Sequence, residues 1–405
     1  MADQVLYSDI SQMEPMFPTS KDSSLTDLSI EVIRRSAALS TSLHPKTRMA
    51  VTELVRSMNS YYSNLIEGHN THPVDIERAL AKDYSHDPAM RAMQMESAAH
   101  IDVQRLIEGR LHEQPYEDIC GQDFLVWIHS KFYERLPEEF CKIQTPEGKS
   151  KIVIPGEMRQ YDVTVGRHLA PAFKALPNFL TRFQTAYSPL RLNAANKVIA
   201  AAASHHRLAW IHPFLDGNGR VTRLFTHAFL IRAQIDGHGL WTESRGFARN
   251  RNGYLAALAG ADEHRQGDMD GRGNLSNRGL VSFCTFFLRI AMDQINFMSD
   301  LLEIDGLQKR IEGYVARQVS FDELKPEAFY LLREALLRGE IPRGEAPRIT
   351  GLPERTARRI LKKLLEKKLL IGDSEKSPVR LSFPAKVAGY YFPQLYPEGV
   401  EITDP

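Results

Sequence analysis

The nine residues from His212 to Arg220 read His-Pro-Phe-Leu-Asp-Gly-Asn-Gly-Arg, and a further arginine follows at Arg223. Pro213 ends the helix predicted before it, because proline has no N–H to donate and disfavours an α conformation in the preceding residue. Apolar residues then recur at helical spacing and predict a second helix that begins near Arg220; they are Leu224, Phe225, Ala228, Phe229, Leu230 and Ile231. The stretch therefore predicts a short loop between two helices, in a mainly α fold.

Two glycines and two arginines in this stretch indicate a site for phosphate groups. Gly217 and Gly219 let the backbone approach a ligand closely, and unpaired N–H groups at the start of the next helix attract an anion. Arg220 and Arg223 are three residues apart, so they occupy neighbouring positions on one face of that helix. Two guanidinium groups in such positions repel each other unless phosphate oxygens lie between them.

The same stretch also contains an imidazole and a carboxylate, which could act as a base and as a metal ligand. A single histidine after a helix is more often a packing residue than a base, and Gly-Asn-Gly alone is an ordinary turn. Beside phosphate-binding groups, however, His212 suits a general base, and Asp216 supplies a hard oxygen for Mg²⁺ shared with substrate phosphates. A rival metal cluster around His205 and His206 is disfavoured, because adjacent helical residues point about 100° apart.

This run closely resembles the signature of the Fic family, H-x-F-x-D/E-G-N-G-R-x-x-R. Every defined position matches: His212, Phe214, Asp216, Gly217, Asn218, Gly219, Arg220 and Arg223. The resemblance implies a Fic-type helical core and AMPylation, the transfer of AMP from ATP to a Ser, Thr or Tyr hydroxyl of a target protein or of the enzyme itself. Other donors used in the family, which supply phosphate, UMP or phosphocholine, remain an alternative.

The same resemblance implies a role for each residue of the motif. His212 would remove the hydroxyl proton, and Asp216 would bind Mg²⁺. The α-phosphate would be held by Asn218 and the amides of Gly217 and Gly219, and the β- and γ-phosphates by Arg220 and Arg223. After the motif, Tyr254 would be a neighbour of the adenine, although a core tyrosine is an equal alternative.

A second motif precedes the loop, at Ser63-Asn-Leu-Ile-Glu67-Gly68. Glu67 falls in the last turn of a predicted helix of about residues 50–68, where the helix dipole disfavours a carboxylate, and Ser63 shares its face. The segment resembles the family's inhibitory motif S/T-x-x-x-E-G/N, which implies that Glu67 pairs with Arg223 and keeps the γ-phosphate from seating. In some family members this glutamate instead helps to remove AMP, so deAMPylation stays open.

Residues 143–168 differ from the helical remainder, because glycines and prolines punctuate them and apolar residues alternate, as in a short β-hairpin. The segment resembles the family's flap, which would bind an extended target segment by strand addition. The flap residues expected to dock the target are Gly156, Arg159, Val163 and Val165. A plain hairpin without this role is the alternative.

Three regions are predicted: a helical region 1–120 with the inhibitory helix, a Fic core 121–318 and a winged helix-turn-helix domain 319–405. In the last region, residues 353–368 hold seven Lys or Arg and two Glu, which suits a recognition helix for DNA. A protein-docking domain with a solvated basic face is the alternative. A DNA-binding regulator that only senses nucleotide at the Fic site is therefore the second hypothesis.

The composition limits the cellular compartment and the kinds of partner that the chain is expected to have. The chain has 405 residues, a net charge of +1 and three widely spaced cysteines, which indicates buried free thiols and a reducing compartment. No secretory signal is recognised, and the most apolar stretch, Leu280–Met292, contains Arg289 and is too short to span a bilayer. A cytoplasmic protein without a membrane partner is predicted. The target protein is not readable from the sequence, and the oligomeric state, a homodimer included, is left open.

Overall fold

The structure, a computed structural model, describes residues 6–19, 23–144, 150–166 and 168–397. The outer ends of the first and third predicted regions, residues 1–5 and 398–405, lie outside the described residues. The prediction of a mainly helical fold is confirmed, because the described strands are few and each is two or three residues long.

The first five α-helices of the described chain are α1 Ser24–Ser40, α2 Pro45–Ile66, α3 Pro73–Leu80, α4 Pro88–Glu113 and α5 Gln122–Tyr133. Three of them begin with proline, whose fixed φ and missing N–H suit the first helical position. The side chain of the residue before each proline caps the helix by accepting a backbone N–H; these residues are His44, His72 and Asp87. Local sequence therefore defines where these helices start.

Seven helices follow: α6 Leu176–Tyr187, α7 Ala194–Ile211, α8 Asn218–Ala233, α9 Glu243–Arg249, α10 Arg251–Asp262, α11 Asn277–Leu302 and α12 Ile304–Ser320. Helix α7 lies at the centre, in contact with α1, α6, α8, α10 and α11. Its run of four alanines, residues 200–203, is completely buried. Such small side chains let neighbouring helices approach closely, which explains why so many pack around α7.

Helix α11 is longer than the apolar stretch noted in the sequence. Its most apolar window has a mean hydropathy of 1.2, and 44% of that window is buried. Among the described residues it is the one helix long and apolar enough to cross a membrane, a test that core helices also pass. The expectation that this stretch is too short is therefore corrected, and the absence of a membrane partner stays a prediction.

The strands form three antiparallel pairs within the described residues: β1 Lys142–Gln144 with β2 Ser150–Ile152, β3 Thr164–Val165 with β4 His168–Leu169, and β5 Leu370–Ile371 with β6 Arg380–Leu381. The single hairpin predicted over 143–168 is therefore wrong. The segment contains two short pairs, and Gly156, Arg159 and Val163 lie outside the strands. Met158 instead forms a bridge with Phe214 of the catalytic loop, which draws the chain away from a continuous ladder.

The C-terminal part contains α13 Ala328–Arg338, α14 Ala346–Thr350, α15 Glu354–Glu366, the β5–β6 pair and α16 Ala385–Tyr391. A bridge between Ile341 and Val379 extends the β5–β6 pair by a third segment. The winged helix-turn-helix domain expected here stays a prediction. The three cysteines, Cys120, Cys141 and Cys284, are buried and free, as predicted.

Candidate functional site

The predicted catalytic loop connects α7 to α8. His212 directly follows α7 and adopts the left-handed conformation, with φ 50° and ψ 60°, which is uncommon for a residue with a side chain. Gly217 precedes α8 with φ 77°, and a Cβ there would lie 2.8 Å from the Tyr133 ring. Only glycine fits this position without strain or a clash, so the loop depends on it.

The Asn218 side chain holds the loop closed. Its Oδ1 accepts the backbone N–H of Phe214 at 2.9 Å, and its Nδ2 donates to the carbonyl of Phe214 at 2.9 Å. The residue is 4% exposed. Both ends of the amide are thus bound to the loop backbone, which gives Asn218 a structural role. Asn218 also lines the cavity described below, and its contact with the α-phosphate stays a prediction.

The His212 imidazole suits a proton acceptor. Burial is the largest cause that lowers its pKa, to about 4, and the nearby His168 adds to the effect. The imidazole is therefore neutral at neutral pH. The adjoining Phe214 ring stacks on His129, with 4.1 Å between ring centroids, and His129 Nδ1 accepts the Gly156 N–H at 2.9 Å. These contacts fix the loop against α5.

Arg159 binds the catalytic loop as well. Its Nε donates to the His212 carbonyl at 2.8 Å, its Nη1 to the Tyr161 carbonyl at 2.7 Å and its Nη2 to the Pro171 carbonyl. The residue is 3% exposed. A buried side chain with three backbone partners does not present itself to a target. Docking of a target through the main chain at Arg159 stays a prediction. Gly156 likewise packs against α5, where a Cβ would lie 3.2 Å from Ser130.

Arg223 projects from α8 toward the end of α2, where the sequence predicted its partners. Its Nε donates to Ser63 Oγ at 2.8 Å, and its Nη2 donates to the Ser63 carbonyl at 3.1 Å and to Glu67 Oε1 at 2.5 Å. Arg223 is 2% exposed. The structure thus brings Ser63, Glu67 and Arg223 together as expected.

The Glu67 carboxylate also lies against the N-terminus of α8. A Cβ on Gly219 would be 2.3 Å from Glu67 Oε1, and Gly217, at the capping position, has no side chain to accept the free N–H groups. Burial alone would raise the pKa of Glu67, but Arg223 and then Arg220 outweigh it and lower the pKa. A charged carboxylate therefore occupies the position that favours an anion.

Arg220 has partners that the sequence did not reveal. Its Nη1 donates to Glu96 Oε1 at 2.7 Å, and its Nη2 lies 3.3 Å from Asp216 Oδ2. Tyr133 Oη donates to the same Asp216 oxygen at 2.7 Å, and Glu96 also binds His69 Nδ1 at 2.5 Å. In this state Arg220 is bound to two carboxylates rather than held open for phosphate.

Asp216 fits one part of a magnesium site. Burial raises its pKa, but Arg220 and the Tyr133 hydroxyl outweigh this and lower it, so the carboxylate is charged. Its side chain is 42% exposed. No group of three or more His, Cys, Asp or Glu side chains able to hold a metal is found in the described part of the chain. A single carboxylate matches Mg²⁺ that takes its other ligands from phosphates and water.

A cavity of about 900 Å³ joins these elements. Its lining includes the ion-paired Glu67 and Arg223, the loop residues His212 and Gly219, and Val165 of β3. Val165 is 44% exposed, whereas Val163 lies before β3 and accepts the N–H of Ala170 through its carbonyl. Of the four predicted flap residues, Val165 is thus the one that both is exposed and faces the cavity.

Tyr254 lines the same cavity but belongs largely to the core. Its hydroxyl lies 2.8 Å from His205 Nε2, and its ring stacks on Phe247 with 4.4 Å between centroids. It is 3% exposed. His205 Nδ1 in turn contacts Thr226 Oγ1 at 2.7 Å, so this histidine is a packed residue. The adenine contact of Tyr254 stays a prediction.

Sequence reasoning missed four residues of the site: His69, Glu96, His129 and Tyr133. The last two lie four residues apart on α5, and a buried His and Tyr on one helical face look like ordinary core residues. Glu96 is 8% exposed in the middle of α4. No sequence signal distinguishes Glu96 from a surface glutamate. Its role becomes visible only when the tertiary structure brings Arg220 next to it.

Comparisons with known proteins agree with this site. Residues 120–230 match the Fic/DOC family. The protein adenylyltransferase Fic of Drosophila grimshawi is 40% identical over 138 residues, 33% of this chain and 28% of that protein. The corresponding protein of Nematostella vectensis is 28% identical over 177 residues, 43% of this chain and 37% of that protein. The chain thus spans well under half the length of either relative.

Two solved structures share the fold. A Fic family protein from Desulfovibrio desulfuricans G20 has a TM-score of 0.52 at 17% identity, over 90% of this chain and 98% of its own. Fic-1 from C. elegans has a TM-score of 0.53 at 15% identity, over 69% of this chain and 73% of its own. At these identities the likeness concerns the fold alone. Residues 120–230, which contain the motif from His212 to Arg223, form a Fic/DOC domain.

Proposed function

We propose that this protein is a protein adenylyltransferase that transfers AMP from ATP to a hydroxyl group of a target protein, and that Glu67 holds it in a state of low activity. One observation carries the proposal: the Glu67 carboxylate lies at the N-terminus of α8, bound to Arg223, in the cavity that His212 lines. The Fic/DOC match and the relatives named as adenylyltransferases support ATP as donor.

The chemistry follows from the groups in the cavity. The acceptor oxygen would attack the α-phosphorus of ATP, the bond to the β-phosphate oxygen would break, and pyrophosphate would leave. The hydroxyl proton would pass to His212, which is neutral because its pKa is lowered to about 4. Mg²⁺ bound at Asp216 would supply further neutralisation of phosphate charge. The N–H groups at the start of α8 and the guanidinium of Arg223 would stabilise charge on the phosphates.

Glu67 competes with the triphosphate for these donors. Its carboxylate already accepts from Arg223 at 2.5 Å and faces the α8 N-terminus, so a terminal phosphate and this carboxylate cannot occupy the position together. A charge-assisted hydrogen bond contributes about 1.5–3 kcal/mol, which is about 10- to 150-fold in the population of the open state. The latch therefore represses activity without abolishing it.

The test is Glu67→Gly, incubated with magnesium and ATP labelled on the α-phosphate. We expect self-labelling and labelling of lysate proteins to rise at least about tenfold, within the range set by one charge-assisted hydrogen bond. Glu67→Gly combined with His212→Ala should lose the label, because the base is missing. Mass spectrometry of labelled proteins should show added AMP.

Glu113→Gly is the matched control, since Glu113 is exposed and is the last residue of α4, away from the site. It should label like the unmodified protein. An unchanged rate in Glu67→Gly would refute the latch, and label that persists in the His212→Ala combination would refute the proposed base. Labelling by UTP or CDP-choline in preference to ATP would overturn the donor.

A further inference from the structure

The C-terminal part carries a basic surface that the Fic/DOC domain does not use. Helix α15, Glu354–Glu366, is strongly amphipathic. Its apolar face is buried and consists of Ala357, Ile360, Leu361 and Leu364. The opposite face presents four exposed cations, Arg355, Arg358, Arg359 and Lys362. These residues occupy positions i, i+3, i+4 and i+7, so they form one stripe along the helix.

We infer that this stripe binds the phosphate backbone and major groove of double-stranded DNA. The helix is 13 residues long, about 20 Å, and with its side chains about 10–12 Å across, which matches a major groove about 12 Å wide. Within the described residues, α15 packs chiefly on α13, α14 and β5, all on its apolar side. The basic face is therefore uncovered in the folded chain.

The existing ion pairs of the stripe do not oppose this binding. Arg358 pairs with Glu354 at 2.5 Å and Lys362 with Glu366 at 3.7 Å, and these cations are 72% and 75% exposed. Exposed pairs of this kind contribute little and yield readily to phosphate. Arg355 and Arg359 have no ion pair among the described residues. The four cations can therefore turn to a ligand without loss of internal structure.

The β5–β6 turn beside α15 offers a second contact. Arg343 donates from Nε to the Ser377 carbonyl at 2.9 Å and from Nη2 to the Ser374 carbonyl at 2.9 Å, which holds the turn in place. The exposed Lys376 lies in that turn. The combination of a rigid helix and a flanking turn fits B-form DNA better than A-form RNA, whose deep, narrow major groove excludes a helix.

The experiment is fluorescence anisotropy of a 20-base-pair duplex of arbitrary sequence, titrated with the full chain at several salt concentrations. Four cations on phosphates predict a slope of about −3.6 in log K against log salt, or about a 150-fold loss between 50 and 200 mM. Arg355→Ala with Arg359→Ala should reduce the slope to about −1.8, about a 12-fold loss over the same range.

Arg34→Ala with Arg105→Ala is the matched control, because it removes two exposed arginines from α1 and α4. It should keep the slope of the unmodified chain. If Arg355→Ala with Arg359→Ala lowers the melting temperature, Arg358→Ala with Lys362→Ala takes its place. Absence of binding at low salt, equal slopes for all variants, or equal competition by an RNA duplex or an acidic peptide would each overturn the inference.

Discussion

Replacing Arg159 with methionine removes three hydrogen bonds, of which one joins this residue to the catalytic loop at His212. The guanidinium donates to the carbonyls of His212, Tyr161 and Pro171, and these carbonyls lose their partner in the variant. Each buried group left unsatisfied costs about 1–3 kcal/mol, and the cost of burying the guanidinium offsets part of the sum. Burial of this guanidinium lowers its pKa to about 10, the direction expected when a charged group is removed from water. We expect a loss of about 2–4 kcal/mol in the free energy of unfolding.

The effect on catalysis should be separate from the effect on stability. His212 has a left-handed backbone conformation, and the Arg159 bond to its carbonyl helps to hold it there. A displacement of about 1 Å at a reacting group costs about 100-fold in rate. In the Glu67→Gly background, Arg159→Met should therefore lower kcat about 100-fold and leave KM for ATP nearly unchanged, because no phosphate-binding residue is removed.

The assay is the initial rate of AMP labelling at a temperature where circular dichroism shows the variant folded. Arg232→Met is the control: Arg232 also donates to two backbone carbonyls, those of Leu111 and Gln114, but far from the loop. It should lose stability and keep kcat. If Arg159→Met keeps full kcat while folded, or if both variants lose kcat in parallel, the positioning role of Arg159 is wrong.

Two further predictions concern His212 and Asp216. Because burial lowers the pKa of His212 to about 4, the base is neutral above that pH; the initial rate of Glu67→Gly should stay level from about pH 8 to about pH 5.5 and fall only as the pH approaches 4. A titration with a midpoint near about 6.5, the ordinary histidine value, would contradict this. Tyr133→Phe removes the hydroxyl that donates to Asp216 at 2.7 Å, so the Mg²⁺ concentration for half-maximal rate should change several-fold while the rate at saturating Mg²⁺ is kept. Phe124→Leu is the control, because Phe124 is also buried on α5 but packs against Trp127 and Arg110. An equal change there would show a packing effect instead.

Local signals made most of the secondary structure readable from the sequence. The start of α4, Pro88–Glu113, follows from local sequence, because Asp87 caps the helix and Pro88 suits its first position. The loop from His212 to Arg220 follows in the same way, since Pro213 ends the helix before it and Gly217 allows the left-handed turn that precedes α8. The hairpin over 143–168 was predicted wrongly, because Met158 and Arg159 pair with the catalytic loop, and alternation along the chain cannot show a partner so distant.

The amino-acid sequence by itself determined most of the helices, the loop that carries the Fic motif and the unfavourable position of Glu67 at a helix end. Tertiary structure alone decided the partners of the charged groups: Glu67 meets Arg223 across 156 residues, and Glu96 meets Arg220 across 124. Helices α2 and α4 both pack against α8, and the sequence does not show which helices will be neighbours. Once that packing buries the arginines, each needs carboxylates, an anion or several backbone carbonyls as partners, because an unpaired buried charge is too costly to persist.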